Sequence, residues 1–221
     1  MGIPSLPGSK QKFPKLTDDI DNSKTPPLKK GDKGGVQEEI NLDPLRQRVA
    51  NCTLCDLHQG RTRTVFGEGN PKAKLMFIGE GPGREEDLQG RPFVGMAGQL
   101  LTKIIESIKL TREAVYITNI VKCRPPQNRV PLPFEIATCR PYLLTQIEQI
   151  GPKIICTLGK TAAWALLKTE LPISQLRGKW FEYHGIRLMP TFHPAYLLRN
   201  PGEKRLVWED MKEIRQALDQ L

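Results

Sequence analysis

Four of the five cysteines are spaced in a way that suits a metal centre. Two residues separate Cys52 from Cys55, and fifteen separate Cys123 from Cys139. Four thiolates suit a structural zinc ion or an iron–sulfur cluster. Zinc ribbons pair two short Cys-x-x-Cys knuckles, and the second pair here is not one. Arg-Pro follows both Cys123 and Cys139, somewhat like the Cys-Pro that closes bacterial cluster motifs. The spacing therefore favours an iron–sulfur cluster and keeps zinc as the alternative.

Two polar residues that follow apolar segments could recognise a ligand. Asn119 ends a β-branched segment, and its amide offers both a donor and an acceptor, as reading a nucleobase edge requires. His193 ends another apolar segment, beside Pro194, which stiffens the turn. Asn is also a common turn former at strand ends, and a single His is often an ordinary loop residue. Neither residue alone defines a site.

A glycine-rich segment, Gly79–Asp87, follows a short apolar run. Its glycines would let the backbone approach a ligand closely. It fails the dinucleotide pattern G-x-G-x-x-G because position 84 is Arg, and its four acidic residues fit poorly with a phosphate cradle. The Gly159-Lys-Thr161 sequence is not a P-loop, because that motif requires Gly at position 154, which is Ile. The segment Gly79–Asp87 is therefore interpreted either as a tight turn or as backbone that approaches a ligand closely.

Strand and helix patterns alternate around these residues. Short apolar or β-branched runs predict strands, and apolar residues at helical spacing predict helices. Cys156 lies within one apolar run, which predicts a buried small hydrophobe. Pro190 lies within another, which predicts an edge strand or a local bulge. The predicted strands are 74–79, 115–120, 153–157 and 187–192, and the predicted helices are 97–110, 134–150, 159–168 and 203–221.

This alternation predicts an α/β fold in which helices cover both faces of a parallel sheet. Ligands of such sheets bind in the crevice beyond the carboxyl ends of the strands. The glycine-rich segment, Asn119 and His193 each lie at or just after the end of a predicted strand, so we expect them to meet at one edge of the sheet.

The charge balance indicates an anionic partner, either nucleic acid or an acidic membrane. Lys and Arg total 33 of the 221 residues against 24 Asp and Glu, a net charge of +9. Residues 1–41 are rich in Pro and Lys without a periodic apolar pattern, which predicts a disordered or weakly ordered tail. That segment holds seven Lys against six Asp and Glu, so the positive charge belongs to 42–221, predicted to be one domain. This distribution favours nucleic acid.

The sequence shows neither a secretory signal nor a membrane-spanning segment. No apolar run approaches the roughly 18 residues that a membrane span needs, and the first 30 residues are polar. We therefore expect a cytoplasmic protein.

The motifs occur in an order that resembles a known family, the family 4 (iron–sulfur, thermostable-type) uracil-DNA glycosylases. The resemblance covers residues 42–219 with the four cysteines interleaved. Its motifs are Gly79-Glu-Gly-Pro-Gly83, Gly90-Arg-Pro-Phe-Val-Gly95 followed by Ala97-Gly98, Asn119 with the run Cys123–Arg129, and His193-Pro194.

The resemblance implies a monofunctional hydrolase of base excision repair. Such an enzyme flips uracil out of DNA, hydrolyses its N-glycosidic bond and leaves an abasic site. The resemblance also implies a central four-stranded parallel sheet in a three-layer α/β/α fold. It implies a 4Fe–4S cluster bound by Cys52, Cys55, Cys123 and Cys139.

The same resemblance implies roles for the residues around the substrate. Phe93 would stack on the flipped uracil, and the Asn119 amide would donate to O4 and accept from N3–H, so that cytosine is refused. His193 would hydrogen-bond O2, where negative charge grows as the bond breaks. The implied substrate-lining backbone comprises Gly81, Pro82 and Gly83.

The catalytic carboxylate is left open by the resemblance. Better-known uracil glycosylases have an aspartate where this chain has Gly81 and a tyrosine at the position of Gly83. The carboxylate role therefore goes to Glu80 or Glu86, with Asn128 as the expected hydrogen-bond partner of Glu86. The related branch that traps DNA covalently carries a His in the insert after its second strand, and residues 122–133 contain no His, so no covalent adduct is expected.

Contacts with DNA are expected at two places. The segment Leu197, Leu198 and Arg199 is predicted to wedge into the vacated stack, or to bury its leucines while only the Arg reaches DNA. Arg124 and Arg129 are predicted to bind phosphates. Basic residues surround the last two cysteines, so the cluster is expected to shape a phosphate-binding loop: Lys122, Arg124, Arg129 and Arg140.

The expected partner is uracil-containing DNA, single- or double-stranded, bound by a monomer, with the tail free to bind a repair or replication partner. Two other function classes fit parts of the sequence: a non-catalytic DNA-binding module of the same fold, and a zinc protein of unrelated function. The combination of Phe93, Asn119 and His193 discriminates between them, because a pure DNA binder has no need of a base pocket.

Overall fold

The computed structural model describes residues 40–221 of the chain. The tail predicted for residues 1–41 therefore lies almost entirely outside the described residues. Ile40 already packs against the hydrophobic core, and Leu42 is buried where the first helix begins.

A six-stranded sheet forms the centre of the fold, in the order β1-β3-β2-β4-β6-β5. The four inner strands pair in parallel, and the outer strands β1 and β5 are short and antiparallel to their neighbours. The strands are β1 (Glu68–Gly69), β2 (Leu75–Gly79), β3 (Tyr116–Asn119), β4 (Ile154–Leu158), β5 (Phe181–Tyr183) and β6 (Ile186–Thr191).

Nine α-helices accompany these strands in the part of the chain that the structure describes. The longest is held at its start by a Glu135 carboxylate that accepts from the Leu132 N–H, and it ends at Gly151 in the left-handed conformation. The helices are α1 (Asp43–Ala50), α2 (Leu57–Gly60), α3 (Arg84–Gln89), α4 (Met96–Ser107), α5 (Pro133–Ile150), α6 (Lys160–Leu167), α7 (Ile173–Leu176), α8 (Pro194–Arg199) and α9 (Lys204–Asp219). No helix among them is long and apolar enough to cross a membrane.

Helices cover both faces of the sheet because the inner strands are apolar on both sides. Within β2, Met76 and Ile78 face a core built with α1, α5 and α6. Leu75 and Phe77 face the opposite core, built with α4, α8 and α9. The predicted three-layer α/β/α architecture with four parallel strands is confirmed, and the two short outer strands add to it. Continuous burial along β2 and β4 is typical of parallel strands.

The position of Pro190 differs from the prediction. Its strand, β6, is not at the edge, because it pairs with β4 on one side and β5 on the other. The β5 strand, however, covers only residues 186–188 of β6. On that side the carbonyl of Pro190 accepts from the Gly178 N–H at 3.1 Å instead. A proline fits here because no β5 residue lies opposite it. Cys156 is fully buried within β4, as predicted.

Candidate active site

One cavity opens beyond the carboxyl ends of the four parallel strands. It has a volume of about 590 Å³, and we call it the strand-end cavity. Each parallel strand contributes to its wall through its last residue or the loop that follows. Among the residues that line it are Glu80, Gly81, Pro82, Gly83, Glu86, Phe93, Asn119, Asn128, Arg129, Lys160, Thr161, His193, Tyr196 and Arg199.

Asn119 is the last residue of β3, and its side chain is almost fully buried, with 1% exposed. Its Oδ1 atom is buried and has no hydrogen-bond partner among the described residues. A buried polar atom without a partner is costly, so a ligand that donates a hydrogen bond to it would be stabilised there. Gly79 leaves the necessary room, because a Cβ there would lie 2.5 Å from both Asn119 Oδ1 and the Phe93 ring.

Phe93 lies in the loop Gly90–Gly95, which we call the Phe93 loop. Its backbone adopts φ +53°, in the left-handed region that a bulky side chain rarely occupies. The ring lies beside Gly79 and the Asn119 amide, and its centroid is 5.7 Å from that of the His193 ring. An aromatic ring and an unpaired amide therefore meet in the same part of the strand-end cavity.

His193 follows β6 and precedes α8. Its Nδ1 accepts a hydrogen bond from the Ala195 N–H at 3.1 Å. Burial, with a contribution from Arg199, lowers the pKa of His193 to about 4. The imidazole is therefore neutral near pH 7. Because Nδ1 is the acceptor, the proton resides on Nε2, which is left as a donor.

The two candidate carboxylates, Glu80 and Glu86, have different hydrogen-bond environments. Glu86 lies in α3. Its Oε1 accepts from the N–H groups of Val94 and Gly95, both at 2.9 Å, and its Oε2 accepts from Gly83 at 3.1 Å. These bonds join the start of α3 to the Phe93 loop. The side chain of Glu86 is thus engaged in holding backbone, although it borders the cavity.

The predicted pair between Glu86 and Asn128 is not formed. Asn128 lies at an exposed turn, with φ +56°, and its Oδ1 accepts from Arg124 Nε at 2.7 Å. The backbone N–H groups of the Phe93 loop occupy the Glu86 carboxylate instead. Both side chains line the strand-end cavity without contacting each other in the described structure.

Glu80 accepts one side-chain hydrogen bond, from Thr161 Oγ1 to its Oε2 at 2.5 Å. Burial raises the pKa of Glu80, and the bond from Thr161 partly opposes that rise. The carboxylate lines the cavity without an Arg or Lys ion pair in the described structure. Of the two candidates, Glu80 is the one free to act on a ligand.

Thr161 was not predicted as a site residue. It lies in the first turn of α6, directly after the Gly159-Lys160 turn that follows β4. The sequence could have identified Thr161, because it follows a predicted strand that ends at the same edge of the sheet as the strands before the other site residues. Lys160 was also missed; it is exposed, borders the cavity and places its Nζ 3.9 Å from the centre of the Trp164 ring.

The predicted DNA-contacting segment divides into a buried and an exposed part. Leu197 is 1% exposed and belongs to the core with α4 and α9, so the prediction that it wedges into DNA is wrong. It points inward because α8 presents one apolar face to that core. Leu198 is 39% exposed, and Arg199 is exposed at the rim of the cavity. Leu198 and Arg199 remain the part that could reach DNA.

Three basic residues near the last two cysteines are less available for phosphates than the sequence suggested. Lys122 is buried and donates to Thr118 Oγ1, the Asn119 carbonyl and Gln146 Oε1, at 2.6 to 2.8 Å. Its predicted place on a phosphate-binding surface is therefore wrong. Arg129 forms a two-bond ion pair with Glu135, and Arg124 bonds Asn128.

A second cavity is bordered by the loop after β3, and we call it the cysteine cavity. Its wall includes Arg61 and Lys122. Arg61 Nη1 donates to Cys123 Sγ at 3.2 Å, and the same side chain donates to the Cys52 and Ala50 carbonyls. The predicted ligands all line this one cavity, and they are Cys52, Cys55, Cys123 and Cys139.

Four cysteine thiols around one cavity are a donor set that an iron–sulfur cluster or a zinc ion takes. Among the described residues, however, no group of three or more His, Cys, Asp or Glu side chains is arranged to hold a metal ion. Burial raises the pKa of Cys55 and Cys123 and raises that of Cys139 to about 12. Burial therefore disfavours the thiolate form, which metal ligation would favour.

The fold and the strand-end cavity define a class of protein. A parallel sheet whose strand ends present an aromatic ring, an unpaired amide and a neutral imidazole suits a flat heterocycle with mixed donors and acceptors. This is the class of nucleobase-binding α/β enzymes.

Comparisons with known proteins identify the family. The model of the Uracil DNA glycosylase superfamily matches residues 66–212. The chain is 46% identical to a type-4 uracil-DNA glycosylase of Thermotoga maritima, over 81% of this chain and 95% of the relative. It is 46% identical to one of Saccharolobus solfataricus, over 80% and 87%, and 44% identical to one of Archaeoglobus fulgidus, over 79% and 92%. The chain therefore belongs to the type-4 family of the uracil DNA glycosylase superfamily, and the resemblance seen in the sequence is confirmed.

Proposed function

We propose that this protein removes uracil from DNA by hydrolysing the bond between C1′ and N1, leaving an abasic site. The observation that carries the proposal is the buried, unpaired Oδ1 of Asn119 beside the Phe93 ring. A flipped base would stack on the ring and satisfy the amide. The relatives described above carry the name of this activity.

Uracil is selected over cytosine by the Asn119 amide. Oδ1 accepts from N3–H of uracil, and Nδ2 donates to O4. Cytosine offers an acceptor at N3 and a donor at C4, so both contacts would oppose like groups. A buried site built on hydrogen bonds rejects a base that leaves its groups unpaired.

His193 stabilises the leaving base. Negative charge develops on O2 of uracil as the glycosidic bond breaks, and Nε2–H of His193 donates to that oxygen. The lowered pKa keeps the ring neutral, so its single available proton is fixed by the bond that Nδ1 accepts from Ala195.

Glu80 acts on the sugar side of the bond. Its carboxylate stabilises the oxocarbenium-like C1′ and accepts a proton from the attacking water. The C1′–N1 bond breaks, the water oxygen bonds to C1′, and uracil leaves with the electron pair. Thr161 Oγ1 holds the carboxylate in place through the bond at 2.5 Å.

Cys52, Cys55, Cys123 and Cys139 would hold a 4Fe–4S cluster in the cysteine cavity. When bound, the cluster supplies covalent cross-links between the end of α1, the loop after β3 and α5. Those links would fix the loop that follows Asn119, so we assign the cluster a structural part. The donation from Arg61 to Cys123 Sγ fits a thiolate ligand.

Arg199 and Lys160, at the rim of the strand-end cavity, bind phosphates that flank the flipped nucleotide. Leu198 occupies the space that the base leaves in the stack. We further propose that the protein acts as a monomer in the cytoplasm.

An end-labelled oligonucleotide with one uracil tests the proposed function. The protein is incubated with it, and abasic sites are cleaved by heating in alkali. Matched strands carry thymine or cytosine at the same position. Cleavage of the uracil strand alone is expected. No cleavage by a folded protein that carries its cluster would leave a non-catalytic DNA-binding module as the function.

A further inference from the structure

The backbone of Phe93 is held in a conformation that it would not adopt by itself. Its φ of +53° lies in the left-handed region, and a residue of this kind stays there only when its surroundings fix it. The loop also lies directly against α4. A Cβ at Gly98 would come within 1.9 Å of the Phe93 carbonyl group. Something must therefore hold the Phe93 loop against the start of α4.

Arg112 supplies that hold. One terminal nitrogen, Nη2, donates to the Pro92 carbonyl at 2.7 Å. The other, Nη1, donates to the Phe93 carbonyl at 3.0 Å and to Thr102 Oγ1 in α4 at 3.2 Å. The planar guanidinium thus binds two successive carbonyls of the loop and the helix behind them. A lysine could not make this set of bonds, because its ammonium lacks the fixed fork.

Glu68 orients Arg112 from the opposite side. Its Oε1 accepts from Arg112 Nη2 at 2.6 Å and from Nε at 3.2 Å. The Arg112 and Glu68 side chains are only 14% and 23% exposed, so water competes weakly for the pair. The two residues are 44 positions apart in the sequence.

The two-residue strand β1 explains how Glu68 reaches this place. Glu68 lies between Gly67 and Gly69, which have φ of +136° and +120°. The strand pairs with β3 opposite Ile117 and Tyr116. A Cβ at Gly69 would come within 1.9 Å of the Val115 carbonyl oxygen, so only glycine fits beside the chain that enters β3. This edge strand brings a carboxylate to the back of the Phe93 loop.

We propose that Arg112, oriented by Glu68, is a positioning residue that holds Phe93 in the conformation that stacks on the flipped base. The inference rests on the proposed function for the role of Phe93. Arg112 itself lies behind the loop and does not touch the base. Its effect on excision must therefore pass through Phe93.

A double-mutant cycle tests this dependence. Single-turnover excision of uracil is measured for Arg112→Gln, Phe93→Ala and the variant that carries both changes. We expect Arg112→Gln alone to slow excision about tenfold and to slow it less than about twofold when Phe93 is already Ala. An equal loss in both backgrounds would overturn the proposal, because Arg112 would then act by another route.

Three matched variants separate positioning from a general loss of structure. Glu68→Gln should reproduce part of the Arg112→Gln effect, with the same dependence on Phe93. Arg112→Lys keeps the positive charge but loses the planar guanidinium that bonds both loop carbonyls, so it should still excise uracil slowly. Arg205→Gln removes an exposed arginine of α9 that pairs with Glu209, and it should excise at the wild-type rate. A slow Arg205→Gln variant with a fast Glu68→Gln variant would contradict the clamp.

Amide hydrogen exchange without DNA provides a readout that does not depend on the activity. In Arg112→Gln, exchange at Val94 and Gly95 should accelerate while the core strands keep their protection. If the wild type excises no uracil but these amides still loosen in the variant, the clamp stands and the proposed function fails. If wild-type excision is normal and these amides exchange unchanged, the clamp fails and the function stands.

Discussion

The strand-end cavity and the cysteine cavity both include residues of the loop after β3, but they are built from different elements. The first is bordered by the ends of four hydrogen-bonded parallel strands. The second is bordered by α1, α2, the loop after β3 and α5, with no strand of the sheet in its wall. A sheet keeps its strand ends in register by backbone pairing, whereas loops and helix ends need another bond to hold them.

The polar groups of the two cavities differ in how available they are to a ligand. The strand-end cavity keeps an unpaired Oδ1 at Asn119 and a Glu80 carboxylate with one partner, both available to a ligand. The cysteine cavity gathers thiols whose pKa values are raised by burial. The proposed function therefore assigns chemistry and stability to separate parts of the molecule, and each can be altered while the other is measured.

The largest expected effect is on stability, from Cys139→Ser. Loss of a ligand to a structural metal centre should lower the free energy of unfolding by more than about 4 kcal/mol. DNA affinity should fall with it, because the loop after β3 loosens. Chemical denaturation and the broad cluster absorbance near 400 nm measure the change.

Cys156→Ala is the matched control for that variant. Cys156 is fully buried, whereas Cys139 is half-buried, and Cys156 lies in β4, away from the cysteine cavity. It should keep the absorbance and lose only about 1–2 kcal/mol of stability. If both cysteine variants keep the absorbance, the cysteine cavity is not the cluster site.

The next largest effect is on the rate, from His193→Ala. Loss of the donor to O2 should raise the barrier by about 2–4 kcal/mol, as loss of an oxyanion donor does. Stability should change far less than in Cys139→Ser. Single-turnover excision measures the rate, and His184→Ala, at the exposed β5–β6 turn, is the matched control. An unchanged rate in His193→Ala would remove this residue from the mechanism.

The parts of the fold that the sequence predicted are those with strong periodicity. The strands around Phe77, Ile117, Cys156 and Met189 were predicted within one or two residues, because buried parallel strands are continuously apolar. Asn119 and His193 were found for the same reason, since Asn119 ends one such strand and His193 lies just after another. Because the carboxyl ends of parallel strands meet at one edge of a sheet, their positions in the sequence were sufficient to predict that they lie together there.

The parts that the sequence did not predict depend on long-range pairing. The strand β1 has only two residues and exists because Glu68 and Gly69 pair with β3. From the sequence alone, the Glu86 carboxylate could pair with Asn128. In the structure, the Phe93 loop instead brings the backbone N–H groups of Val94 and Gly95 to that carboxylate. Leu197 was misplaced because a six-residue helix shows too little periodicity to reveal its buried face.

A smaller effect, on specificity, is expected from Asn119→Asp. Oδ1 remains an acceptor but the donor to O4 is lost, so uracil excision should weaken by about 1–3 kcal/mol. A protonated carboxyl could donate to N3 of cytosine, so trace excision of cytosine should appear at low pH. Parallel assays on uracil and cytosine strands measure both. Unchanged uracil excision with cytosine untouched would show that Asn119 does not read the base.

The smallest expected effect is a change in pH dependence, from Thr161→Val. Glu80 must be ionised to accept a proton, so excision rises with pH through its pKa. Burial raises the pKa of Glu80, and the Thr161 hydrogen bond opposes that rise. Removing the bond should therefore move the acid limb of the rate profile to higher pH. The rate should fall on the acid limb of the profile and change little on its plateau.

Thr161→Ser and Glu80→Gln complete this test. Serine keeps the hydroxyl, so the wild-type profile should return, which a purely structural role of the methyl group would not produce. Glutamine at position 80 cannot ionise, so the acid limb should disappear, and Thr161→Val should then have no further effect on the profile. An acid limb that persists in Glu80→Gln would belong to another group and would return attention to Glu86. Because Glu86 accepts three backbone hydrogen bonds, its removal should also loosen the Phe93 loop, and amide exchange at Val94 would distinguish the two carboxylates.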